Sequence, residues 1–114
     1  GTRTLLDHHL RAAGCSPREI HGYDVVVDTH LALAEAVRAG EADAGLGLYA
    51  AARAAGLDFV PVAHERYDLV LDLADLDRPP LAQLVALLRS PAFAATVASL
   101  GGYDTTHTGE VRTI

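Results

Sequence analysis

Residues 29–48 have the sequence THLALAEAVRAGEADAGLGL, and this stretch decides the fold expected for the chain. Its apolar residues return at helical spacing, which predicts a helix over residues 29–39 with one apolar face. Asp28 or Thr29 can cap the start of this helix, and Gly40 ends it. A short apolar strand completes the stretch, so the order helix, glycine, strand favours an α/β fold.

Helices and strands are predicted to alternate along the rest of the chain. Apolar spacing and the Gly, Pro and Ser punctuation predict further helices over 2–13, 49–55, 79–89 and 91–100. The predicted strands are 20–27, 44–48, 57–63 and 66–73. This alternation predicts a mainly parallel sheet flanked by helices. Residues 1–114 are expected to form a single lobe in which residues 79–100 are a C-terminal helical segment.

Composition excludes several classes of function. The chain has 114 residues, a net charge of −6 and no basic cluster, so direct contact with nucleic acid is not expected. Cys15 is alone and cannot form an intramolecular disulfide. No signal peptide and no apolar run of about 18 residues is found, so no membrane association and a cytoplasmic location are expected. If the chain is a fragment that lacks its N-terminus, a periplasmic location stays open.

Catalytic and metal-binding patterns are also lacking. His8 and His9 are adjacent on a predicted helix and point about 100° apart. The serines lack the strained strand-to-helix turn of a nucleophile, and the acidic residues at 72, 75 and 77 lack the closing Glu of a calcium loop. We therefore expect a binding domain without catalytic residues, metal ligands or cofactor.

Motifs in one order along nearly the whole chain carry a family resemblance. They are GTRTLLD at 1–7, GY at 22–23, THLA at 29–32, Gly40, ADAGLG at 42–47, GLDFVP at 56–61, ERYDL at 65–69 and GGYD at 101–104. The chain resembles the second lobe of the type II periplasmic-binding-protein fold. In particular it resembles the molybdate-binding-like domain attached to helix-turn-helix regulators or to molybdopterin-biosynthesis proteins. The resemblance implies a fragment of a two-lobe domain.

A ligand site is expected at one edge of the predicted sheet. Ligands of such sheets bind beyond the carboxyl ends of the strands, where residues 1–3 and 28–30 begin helices and residues 48–49 form a turn. Backbone N–H groups and hydroxyls at these positions suit a small oxyanion. The resemblance implies that this ligand is molybdate or tungstate. The candidate ligand-binding residues are Thr2, Arg3, Thr29, His30 and Tyr49.

Four of the candidate residues also have a structural role open to them. Thr29 can be only a helix cap and His30 only a solvated residue of the first turn, Arg3 can pair with Asp7 four residues later, and Tyr49 can pack against the core. Related domains have Arg at the position of Tyr49, which changes the charge expected there. Two other functions stay open: an effector domain that binds a small organic acid, and an accessory domain of a molybdenum-cofactor biosynthesis protein.

Self-association is expected if the first lobe is missing. The apolar faces of the helices in residues 81–100 and the strand edge at residues 67–71 would then be exposed. Soluble proteins rarely leave such surfaces unpaired, so we expect a homodimer that packs or exchanges these elements.

Overall fold

The computed structural model describes residues 1–113, which form five α-helices and two 3₁₀ turns. The helices are α1 (Thr2–Ala12), α2 (His30–Arg38), α3 (Tyr49–Ala54), α4 (Pro79–Leu88) and α5 (Pro91–Leu100). The 3₁₀ turns are Pro17–Glu19 and Leu73–Asp75. The chain divides into two compact units. The first, Gly1–Val60, holds α1 to α3, and the second begins at Pro61 and holds α4 and α5.

Helix α2 begins and ends where the sequence predicts. Thr29 is the N-cap, and its Oγ1 accepts a hydrogen bond of 3.0 Å from the backbone N–H of Ala32. Beyond the last helical residue, Gly40 has a φ of +76°, a conformation that glycine adopts without a Cβ clash. The predicted cap and glycine stop are confirmed, and of the two candidate caps Thr29 is the one that the helix uses.

The predicted helices of the second unit are confirmed as well. α4 and α5 contact each other, and each has proline in its first turn, where a backbone N–H has no helical partner to lose. Ser90 caps α5, and its hydroxyl accepts from the N–H of Phe93 at 3.2 Å. No single helix within residues 1–113 is long and apolar enough to cross a membrane. α4 and α5, bent by 59°, meet that length and composition only as a pair.

The predicted parallel sheet is wrong, and the α/β class with it. The part of the chain that the structure describes contains no β-strand. The four segments predicted as strands, 20–27, 44–48, 57–63 and 66–73, are turns, 3₁₀ turn or coil. Residues 57–72 run as one coil segment without a turn or a bend.

The sheet prediction is wrong because a local sequence pattern does not specify which segments pair as strands. β-Branched and aromatic residues favour an extended backbone, but a strand also needs a partner for its ladder of hydrogen bonds. Within residues 1–113, no backbone–backbone hydrogen bond involves residues 58–71. The backbone of residues 45–47 instead lies against a side chain of α2, so this segment is used for helix packing.

The buried core is small for a chain of this length. In residues 1–113 the only buried side chains are Ala34 on α2 and Ala51 on α3, which are 4% and 6% exposed. The accessible surface is 9148 Å². Two separate compact units of about 6 kDa each would expose about 7,200 Å² together, by the size scaling of folded proteins. The accessible surface of the chain therefore exceeds that of two compact units by roughly 1,900 Å².

Candidate functional site

Two of the first four backbone N–H groups of α2 have no acceptor among the described residues. Thr29 satisfies the third and the fourth of the four: its Oγ1 accepts from Ala32 and its carbonyl accepts from Leu33 at 3.1 Å. The N–H groups of His30 and Leu31 have no acceptor within residues 1–113. Because these groups lie at the positive end of the helix dipole, they suit an anionic oxygen.

Two glycines bring a second piece of backbone to this end of α2. A Cβ at Gly45 would lie 2.8 Å from Leu33 Cδ1, and one at Gly47 would lie 2.9 Å from Leu33 Cδ2. A Cβ at Gly47 would also lie 3.8 Å from Nδ1 of His30. Glycine at these two positions lets the backbone lie against the side chain of Leu33, and the turn that leads into α3 therefore lies beside His30.

Tyr49, the first residue of α3, packs against another ring. Its ring meets Phe59 edge to face, with centroids 5.2 Å apart and an angle of 79° between the planes. Tyr49 is 40% exposed, and its hydroxyl has no hydrogen-bond partner among the described residues. The ring is thus held by packing, while the hydroxyl is left available as a neutral donor.

Thr2 and Arg3 lie at the start of α1, and Arg3 is already engaged. Its guanidinium lies over the ring of Tyr23, 3.7 Å from the centroid, and donates to the Tyr23 carbonyl at 2.7 Å. It also lies 3.8 Å from the carboxylate of Asp7 and 3.9 Å from that of Asp24. The pairing with Asp7 was the alternative that the sequence offered, whereas the roles of Tyr23 and Asp24 were not predicted.

The hydroxyl of Tyr23 closes this cluster by donating a hydrogen bond to Asp7. The pKa of Tyr23 is raised, chiefly because its proton is held by that carboxylate and next because of partial desolvation, and Arg3 opposes the rise. Two carboxylates near one guanidinium leave little net positive charge for a ligand. The signal for this cluster was the Gly-Tyr pair at residues 22–23, whose side-chain partner the sequence does not specify.

The five candidate residues therefore fall into two groups. Thr29 and His30 lie at one end of α2, next to the turn that leads to Tyr49. Thr2 is the first residue of α1, and the N-cap residue before it, Gly1, makes no side-chain hydrogen bond to the helix. Among residues 1–113, no hydrogen bond, ion pair or ring contact joins Thr2 or Arg3 to the α2 group.

An open groove of about 390 Å³ runs between α2 and α3. Its lining is mostly alanine and leucine: Leu31, Ala32, Ala34, Glu35, Ala51, Ala54 and Ala55. Glu35 is paired with Arg38, whose Nε donates at 2.8 Å, and this hydrogen bond is the main reason that the pKa of Glu35 is lowered. The carboxylate stays charged, and the guanidinium of Arg38 offsets that charge.

Clusters suited to metal binding are not found in the described residues: no group of three or more His, Cys, Asp or Glu side chains could hold a metal ion. The acidic stretch after residue 71 has local partners instead. Asp72 caps a 3₁₀ turn by accepting from the N–H of Ala74 at 2.9 Å, and Asp75 pairs with Arg78 at 2.9 Å.

Comparison with known proteins gives a family and two relatives. The family described as the PBP superfamily domain matches residues 1–89. An uncharacterized Clostridium pasteurianum protein, from the 5′ region of a 2Fe-2S ferredoxin gene, is 36% identical over 96% of this chain and 97% of its own length. Uncharacterized protein YvgK of Bacillus subtilis is 37% identical over 97% of this chain, which spans only 35% of that relative. No solved structure matches.

Proposed function

Because this chain belongs to the family described as the PBP superfamily domain, we propose that it binds a small oxyanion of the molybdate or tungstate type. Membership of the family supports a binding function in general. The proposal adds the class of ligand and the place where it binds, the start of α2. It also takes the chain to act by binding, without catalysis.

The observation that carries the proposal is the pair of unsatisfied N–H groups at His30 and Leu31. A tetrahedral dianion with spread charge is held well by neutral donors, and it needs no cation when such donors lie at a helix start. The turn beside His30 leads to Tyr49, whose hydroxyl is included in this proposal as a further donor. Thr2 and Arg3 contribute in this proposal only through the backbone N–H groups at the start of α1.

A small organic acid is the second candidate. The alanine and leucine lining of the α2–α3 groove would provide the apolar wall that such a ligand needs. The lining weighs against it, because it contains no cationic side chain to hold the acid group of the ligand. An accessory role in molybdenum-cofactor biosynthesis, without a working pocket, predicts that neither class of ligand binds.

Calorimetric titration separates these functions. The chain is titrated with molybdate, tungstate, sulfate and a small dicarboxylate at low ionic strength. We expect weak binding of molybdate and tungstate, because donors cover only one face of the anion, and no binding of the dicarboxylate. Heat from the dicarboxylate alone would replace the proposal with the second candidate.

A matched pair of substitutions locates the site. Thr29→Ser keeps the cap and the neutral charge, so it should leave the affinity for molybdate within about twofold. Thr29→Asp also keeps the cap but places a carboxylate beside the anion, and should weaken binding at least about tenfold. Equal affinities in the two variants would remove the start of α2 from the site.

A further inference from the structure

Residues 61–72 of the second unit form an unpaired and largely apolar segment. Three of its apolar side chains are strongly exposed: Tyr67 at 76%, Leu69 at 63% and Val70 at 94%. The segment has no turn or bend, and no backbone–backbone hydrogen bond within residues 1–113 involves residues 61–71. A backbone of this kind offers a row of donors and acceptors to another strand.

We propose that residues 66–72 pair as an antiparallel β-strand with the same residues of a second copy of this chain. In a two-fold symmetric pair one residue faces itself across the axis, and here that residue is Leu69. The register then places Tyr67 opposite Leu71 and Arg66 opposite Asp72, twice each by symmetry. Tyr67, Leu69 and Leu71 of both copies share one face.

Charge complementarity favours the second copy as the occupant, and it favours Leu69 over Asp68 and Val70 as the centre. Arg66 and Asp72 have opposite charges and meet at both ends of the paired segments. A shift of the centre to Asp68 would place Asp68 opposite itself, and a shift to Val70 would place Asp68 opposite Asp72. Both shifted registers put like charges face to face, which is unfavourable in a strand pair.

The side chains at the two ends are in place for this pairing. Arg66 is exposed, and among residues 1–113 its ion-pair partner is Asp68, two residues further along the chain, at 2.8 Å. Asp72 uses Oδ1 to accept from the N–H of Ala74, which leaves Oδ2 for an arginine of the partner. Neither group is withdrawn from solvent by an existing buried contact.

The accessible area agrees with an interface of this size. Roughly 1,900 Å² per chain is exposed beyond what compact units expose, whereas a standard dimer interface needs only about 800 Å² from each partner. Pairing of residues 66–72 uses part of this excess, and the exposed side chains of Val62 and Leu73, close to the segment in sequence, add to the apolar surface available.

Sedimentation equilibrium of the full chain, from about 1 to 500 µM, tests the proposal. We expect a monomer–dimer equilibrium. Arg66→Asp should weaken dimerisation at least about tenfold, because it creates two like-charge pairs. Adding Asp72→Arg to that variant should restore the dimer to within about threefold of the parent, since the charges are exchanged but again opposite.

Two further variants complete the design. Arg18→Asp makes the same charge change on an exposed residue outside the segment and should leave the equilibrium unchanged. Leu69→Lys leaves the Asp72 cap intact and places two lysines at the axis, so it should abolish the dimer. Helical circular dichroism checks that each variant folds. A monomer at every concentration, or a dimer that is indifferent to both Arg66→Asp and Leu69→Lys, would overturn the proposal.

Discussion

At the scale of single residues, the sequence predicted those roles that depend on near neighbours. Thr29 caps α2, and Arg3 pairs with Asp7 four residues later, as their spacing allows. The stacking of Arg3 on Tyr23 spans 20 residues and has no local signature, so it was not predicted. The ligand contacts assigned to the five candidate residues stay predictions.

The Thr29 cap has a measurable energy. Thr29→Ala removes the acceptor for the Ala32 N–H and should lower the free energy of unfolding by about 1 kcal/mol. Thr29→Ser keeps an acceptor and should cost no more than about 0.3 kcal/mol. Urea unfolding followed by circular dichroism measures both. Equal stabilities of the two variants would show that the hydroxyl does not cap the helix.

The Tyr23–Asp7 contact predicts a dependence on pH. Because the folded pKa of Tyr23 lies above the ordinary 10.0, its contribution to stability is complete below that pH and is lost as the pH rises through the folded pKa. The difference in absorbance between the parent and Tyr23→Phe gives the titration of this phenol. Asp7→Asn should shift the titration to lower pH, and an unchanged midpoint would contradict the hydrogen bond.

At the scale of elements, apolar spacing together with local Gly, Pro and Ser residues was sufficient to predict the five helices, and β-propensity was not sufficient to predict a sheet. A helix satisfies its own backbone, so a cap such as Ser90 and a stop such as Gly40 fix its ends locally. A strand depends on a partner that is distant in the chain or on another molecule. Residues 57–72 have the composition of strands and lack that partner within residues 1–113.

The contact between the glycine turn and α2 is testable by adding one methyl group. Gly45→Ala would place a Cβ 2.8 Å from Leu33 Cδ1, so the leucine side chain must shift and the chain should be destabilised by about 1 kcal/mol. Combining it with Leu33→Ala should make the Gly45 change nearly neutral, because the clash is removed. Gly1→Ala, which meets nothing within 4 Å, is the control. Full loss in both backgrounds would contradict this packing.

At the scale of the whole molecule, two units with a small core leave much apolar surface in contact with water. Such surface makes association with another molecule the main source of further stability. Self-association was expected from the sequence and stays a prediction, and the exposed side chains of residues 67–70 are where it would act. The partner that covers these side chains depends on complementary charge. The opposite charges of Arg66 and Asp72 favour a second copy of the chain.

Hydrogen exchange of the backbone amides reports whether residues 62–71 are paired. At a few micromolar, the amides of residues 62–71 should exchange almost as fast as in an unfolded peptide, because they have no acceptor within residues 1–113. At several hundred micromolar, alternate amides of residues 66–72 should become protected as strands pair. Strong protection at the lowest concentration would mean that the segment is paired within one chain.

The measurement that tests the central claim most directly is a titration of the ¹⁵N-labelled chain with molybdate, followed by the backbone amide shifts. An oxyanion at the start of α2 predicts that the amide signals of His30 and Leu31 move first and saturate together, with the turn at Gly47 following. Signals of α4 and α5 should stay unchanged. Saturable shifts confined to residues away from α2, or no shift at all at millimolar molybdate, would contradict the account.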